Sequence, residues 1–252
     1  MRRHEMKKTG YFRMVIAVLM LTLSLTLPAG AADESADAAG AQGMEKKSGL
    51  VTEDGEAHIY TDAEKLVKNV PVYVLKADGK TAYFSVDEDG NAKKLTGVME
   101  MAAKRLVRLK AGDKKTMANL KKAFKWSAGL RYRNNTKKIK GSRAAQYYGE
   151  YGFRTLSGDC NTAAYTFWWM AKVLGYSPAV VNGKVPDGSA DNLKKHTWVT
   201  MKMDKKTWVF DPDFNRTYAG KTVKTRSGKK KLGKYCGFRF TYGTPGTYMY
   251  RL

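Results

Sequence analysis

Ser157-Gly158-Asp159-Cys160-Asn161 stands directly ahead of Ala163, Ala164, Phe167, Trp168, Met170, Ala171 and Leu174, a run of helix formers and large apolar side chains that Gly175 closes. The spacing predicts a capped helix that starts at Cys160. Ser157 or Asp159 can accept from the orphan N–H groups of its first turn, and Gly175 stands where a left-handed C-terminal cap is expected. A thiol in that turn feels the positive end of the helix dipole. With an imidazole beside it, its pKa can fall from about 8.5 towards roughly 3.5–7.5. Cys160 is therefore suited to nucleophilic attack; a small core residue and half of a disulfide with Cys236 are the other readings of such a cysteine.

Any imidazole partner has to come from a very short roster. The chain has three histidines: His4 lies in the basic leader and His58 at the edge of an acidic stretch, which leaves His196 for the main domain. His196 opens the run His196-Thr197-Trp198-Val199-Thr200-Met201-Lys202-Met203, and Lys206-Thr207-Trp208-Val209-Phe210-Asp211-Pro212 follows after Asp204-Lys205. This alternation reads as a hairpin. With Asp204-Lys205 as a two-residue loop, Met203 faces Lys206 and His196 falls opposite Asp213. Asp211 is then a diagonal neighbour of His196 on the same face, roughly 7–8 Å away at the backbone, within side-chain reach. A one-residue slip would send Asp211 to the other face. Pro212 ends the ladder because it cannot donate to it.

Gly158-Asp159-Cys160 opening a helix, His196-Thr197-Trp198-Val199 opening a strand and Trp208-Val209-Phe210-Asp211-Pro212 closing the next resemble the bacterial transglutaminase-like superfamily of papain-like thiol enzymes. The likeness covers about 116–214 and is strongest over 158–213. It implies Cys160 as nucleophile, His196 as the base that activates it and Asp211 as the residue that orients His196. It also implies attack on an amide carbonyl through an acyl-thioester, with water or an amine as acceptor. Lys205 stands in the hairpin turn where the family often has Gly, and 143–152 does not reveal a side chain for the oxyanion hole. Trp198, two residues from His196 and on its face, and Asp159 are the candidate substrate-binding residues. The other tryptophans read as core.

Outward from this region, the chain divides by composition. It has 252 residues, 43% of them apolar, enough for one main domain and an accessory piece. Arg2, Arg3, Lys7, Lys8 and Arg13 precede an apolar run over 14–27 and then Pro28-Ala29-Gly30-Ala31-Ala32. That is the pattern of a secretory signal peptide over 1–31, too short in its apolar part to span a bilayer. Residues 32–57, rich in Ala, Gly, Asp and Glu, read as an acidic flexible linker. Residues 58–97 carry β-type runs at 70–75, 81–86 and 92–95, separated by turn residues, and form a small β accessory segment. Residues 98–252 form the main domain, with helices expected over 98–110 and 116–128, a solvated loop over 134–141, a basic loop over 224–234 and strands over 235–242 and 247–252.

From residue 59 on, 39 basic side chains face 15 acidic ones, a net +24 that attracts polyanions. No zinc-finger, helix-turn-helix or phosphate-loop pattern accompanies that charge, so no specific nucleic-acid partner is expected. With one usable His and no paired cysteines, no metal or cofactor is expected either. The fold class expected is α+β: a nucleophile helix packed on an antiparallel sheet, preceded by the small β segment. The expected protein is secreted or wall-associated and acts on a peptide or protein substrate, with an anionic cell-wall polymer as a further partner and no membrane contact after signal cleavage. The alternative is a catalytically inactive wall-binding or adhesion protein of the same fold, with Cys160 bridged to Cys236.

Overall fold

A computed structural model describes residues 47–134, 137–187, 189–225, 228–244, 246–247 and 250–252. The expected signal peptide and residues 32–46 of the expected linker lie outside them. The linker reading has to be corrected at its end, because β1 (Gly49–Glu53) and β2 (Glu56–Tyr60) pair as an antiparallel hairpin. Asp54 and Glu56 at its turn are exposed, Glu53 is half-buried and accepts from Tyr60 Oη at 2.8 Å, and Ile59 is fully buried, so alternation outweighs the acidic composition on which the linker reading rested.

The three runs expected next form one antiparallel sheet, β3 (Val70–Ala77), β4 (Lys80–Val86) and β5 (Ala92–Lys94). Asp78-Gly79 turns the first hairpin with φ of 49° and 70°, the conformation an Asp-Gly pair adopts readily. Asp87 organises the second turn by accepting from the N–H groups of Asp89, Gly90 and Asn91 at 3.1, 2.9 and 2.8 Å. These bonds and that of the Asn91 amide hold its pKa below the usual carboxylate range. Ile59, Val67, Phe84 and Val86 give this segment a small core of its own, and Val72 joins the main core.

The main core is built around one helix. α1 (Gly97–Arg108), α2 (Met117–Ala128), α3 (Arg143–Thr155) and the antiparallel sheet β8 (Pro178–Asp187), β9 (Ser189–Met203), β10 (Lys206–Phe210) all pack on α4 (Cys160–Val173). Sheet order is β10-β9-β8, and β6 (Arg131–Tyr132) pairs in parallel with β7 (Ser157–Gly158) just ahead of α4. Phe124 of α2, Phe167 of α4 and Phe210 of β10 meet with centroids 5.5 Å apart in each successive pair, all fully buried. Val199 and Met201 of β9 enter the same core, whereas Trp198 and Val209 cluster with Phe240. α3 and α4 approach closely at Gly149 and Gly152, where an added Cβ would collide with Trp169 and with Thr162 and Thr166.

The C-terminal part differs from expectation. The basic loop is a hairpin, β11 (Thr222–Thr225) with β12 (Gly228–Lys231), which follows α5 (Pro212–Tyr218). Among the described residues, each of the two expected terminal strands makes one bridge, Phe240 on Val209 of β10 and Arg251 on Lys184 of β8. Each meets one outer edge of the sheet. Cys236 lies in the turn ahead of Phe240.

Gly152→Val should overpack the α3–α4 contact and cost about 1–3 kcal/mol. A lower urea midpoint with an unchanged slope is the expected result.

Candidate active site

The start of α4 is fixed from three directions. Asp159 caps it, accepting from Thr162 N–H at 3.1 Å, and the far end closes with Gly175 N–H on Lys172 O and Tyr176 N–H on Ala171 O, at 2.9 and 3.0 Å. Gly158 has no room for a Cβ because Thr162 lies against it. From α5, the Arg216 guanidinium donates to Leu130 O and Gly158 O at 2.9 and 3.0 Å, pinning the turn that delivers Cys160.

The hairpin register derived from the sequence holds. Lys206 pairs with Met203 and Phe210 with Val199, across a turn in which Asp204 and Lys205 both have positive φ, 52° and 60°. Lys205 accepts this conformation although it is not a glycine. The ladder stops at Phe210, and Asp211 becomes the N-cap of α5 with Pro212 in its first turn. One carboxylate oxygen, Oδ1, accepts from Phe214 N–H at 2.8 Å, which leaves Oδ2 for His196 Nε2 at 2.6 Å. Both residues are buried, Asp211 completely. Asp211 N–H in turn donates to Gly237 O at 2.8 Å, and Gly237 comes so close to the Asp211 carbonyl that no Cβ fits there.

Cys160 lies on the far side of the imidazole. A donor or acceptor atom from each of Cys160, His196 and Asp213 falls within 4.8 Å of the others, and His196 Nδ1 lies 3.8 Å from Asp213 Oδ2. A triad-like Cys160–His196–Asp211 group thus exists, with Asp213 as a second carboxylate. Burial alone would lower the His196 pKa. The charge and hydrogen bond of Asp211, followed by those of Cys160, outweigh it and push it up to about 11. The imidazole is therefore held as imidazolium. A metal bound by this trio would have to displace that proton and sit beside the Arg216 guanidinium, which is ion-paired with Asp213. The donor set therefore fits an ion pair better than a cation.

The two candidate substrate-binding residues need correction. Trp198 is fully buried, its indole lying at 24° to the imidazole with centroids 6.1 Å apart and its Nε1 donating to Tyr242 Oη at 2.8 Å. It backs His196 and offers no face to a substrate. Asp159 spends its carboxylate on Thr162 and Asn161 as a cap. Both cysteines are free thiols, so the Cys160–Cys236 bridge of the alternative reading does not form. Burial first, with a contribution from the Asp211 charge, pushes the Cys236 thiol up to about 11.

Three residues at the site were not assigned from sequence. Asp213 had a signal, since the register placed it opposite His196, although it sits on α5 beyond the ladder. Arg216 and Tyr250, whose hydroxyl donates to Asp211 Oδ2 at 2.8 Å, had none.

No protein-family model and no curated protein matches the chain. Among solved structures, it is similar to a crystal structure from Cytophaga hutchinsonii of a protein proposed to be a cysteine protease, with 10% identity and a TM-score of 0.33. The match covers 61% of this chain and 49% of that one, about half its length. At that score the likeness supports neither fold nor activity.

His196 makes stability fall with pH. Its folded pKa lies above the unfolded value of 6.5, so the native state holds a proton that the unfolded state has lost. The contribution is complete below about 6.5 and disappears as pH rises through about 11. Asp211→Asn should flatten the decline in unfolding free energy between these limits, as read from urea titrations across the range.

Proposed function

We propose that the protein is a cysteine-dependent acyl transferase or hydrolase that acts on peptide or protein amide bonds in the manner of the transglutaminase-like enzymes. One observation carries this reading: a fully buried carboxylate, Asp211, holds His196 charged and oriented while the other side of the ring meets the thiol of Cys160 at a helix start. A buried group in van der Waals packing alone would not need that charge.

The reaction begins with the Cys160 proton passing to His196. Cys160 Sγ bonds to the amide carbonyl carbon, and the carbonyl electron pair moves to oxygen. The Cys160 N–H, one of the four helix donors with no intrahelical acceptor, is the donor this mechanism assigns to that oxyanion. Collapse breaks the C–N bond, His196 gives its proton to the leaving amine, and an acyl-thioester remains. Water or a primary amine then attacks, yields a proton to His196 and releases the thiolate. Asp211 stays ionised throughout and stabilises the imidazolium form.

The substrate we infer is a peptide or protein met outside the cell. The reading of 1–31 as a signal peptide supports this, and the net +24 beyond residue 58 suits an anionic wall polymer as a second partner. A free Cys160 in contact with a charged imidazole favours catalysis over the inactive adhesion protein.

Incubation of the protein with casein should yield new amino termini or, with a fluorescent primary amine present, labelled casein. Cys160→Ala should abolish both with little change in melting temperature, and Asp211→Asn should lower them on the order of 10²–10⁴-fold. Equal activity of Cys160→Ala and wild type would refute the reading.

A further inference from the structure

We infer that Tyr250, near the C-terminus, is a positioning residue for the Asp211 carboxylate, and that the tail of the chain is thereby part of the active site. This rests on the Cys160–His196–Asp211 reading above. The Tyr250 hydroxyl donates to Oδ2 of Asp211 at 2.8 Å, the same oxygen that takes His196 Nε2 at 2.6 Å. With Phe214 N–H on Oδ1, the buried carboxylate has three donors, and Tyr250 is the one that comes from outside the hairpin and its adjoining helix.

The tail is held so that this hydroxyl is aimed. Arg251 N–H donates to Lys184 O at 2.9 Å and Lys184 N–H to Arg251 O at 2.8 Å, clamping the tail to the outer edge of β8. Gly183, directly opposite His196 in the register, makes the approach possible: a Cβ there would strike both Arg251 O and the Trp198 ring. The Tyr250 ring then packs edge-on against Trp198, centroids 4.6 Å apart at 63°, with Tyr242 at 5.7 Å and Phe240 at 5.9 Å. An aromatic wall thus backs the His196–Asp211 pair and carries one hydroxyl into it.

The ionisable groups around Asp211 are His196 on β9, Tyr250 on the tail, the Cys236 thiol in the turn before the tail, and Asp213 with its ion partner Arg216 on α5. Cys160 lies beyond the imidazole. Taking away the tyrosine hydroxyl removes one donor from the buried carboxylate, so Asp211 is held less firmly against the imidazole and the charged form of His196 is favoured less. A ring less firmly charged gives nucleophilic sulfur beside it less support, so alkylation at the acid end of the profile should slow.

The test uses the full chain and needs no substrate. Iodoacetamide alkylation of Cys160, located by peptide mapping, is followed from pH 4 to 9 in wild type, Tyr250→Phe and Tyr242→Phe. Tyr250→Phe keeps the ring and should move the low-pH edge up by about one unit, which is about tenfold slower alkylation at a fixed pH on the rising limb. Tyr242→Phe removes a hydroxyl that meets Trp198 and not Asp211, and should leave the edge in place. Superimposable profiles for wild type and Tyr250→Phe would overturn the role of Tyr250 and leave the triad standing. Equal shifts in both variants would reduce the effect to loosened packing and overturn it too. A wild-type profile no different from that of a free thiol would instead refute the triad, and this inference with it.

Discussion

A carboxylate with no exposure to water has to be surrounded by donors or give up its charge. Asp211 takes donors from three parts of the chain: Phe214 N–H of the helix it caps, the imidazole of β9 and the hydroxyl of Tyr250. The remaining features of the site follow from satisfying that one group. Its own backbone N–H is tied to Gly237, which fixes the turn that carries Cys236, and α5 can start only where β10 ends. If any of these contacts moved, the imidazole would lose the partner that keeps it charged.

The sequence sets the position of this carboxylate by local rules with long-range consequences. Pro212 cannot donate to a ladder but fits the first turn of a helix, so the chain changes from strand to helix at Asp211. Asp is among the residues best suited to cap that helix, and capping occupies one oxygen while leaving the other exposed to the sheet face. The Asp204-Lys205 turn, ten or so residues of hairpin and one Asp-Pro step therefore determine which face His196 shares with its partner.

This explains which parts were legible. The His196–Asp211 pairing depends on a two-residue turn and a period of two, both readable from residue types, and the α4 caps depend on Asp159 and Gly175. Strand β8 was not readable, because Asn182, Gly183 and Pro186 interrupt any alternation, and it is held by its long pairing with β9 instead of by propensity. The tail was misread for the opposite reason. Its aromatic residues resemble strands, yet they serve as a packed wall, and Tyr250 earns its place through a contact with Asp211, 39 positions earlier. The role of Trp198 changed in the same way: a side chain on the right face can stand behind a catalytic group as easily as beside its substrate, and only burial distinguishes the two.

The two cysteines show how much one buried charge decides. Asp211 acts on Cys236 directly, and its negative charge adds to burial in holding that thiol protonated up to about 11. Towards Cys160 it acts through the imidazole, where the carboxylate stabilises a positive ring. The two thiols differ in what lies between them and the aspartate. What separates them is the intervening His196, together with the helix start that only Cys160 occupies.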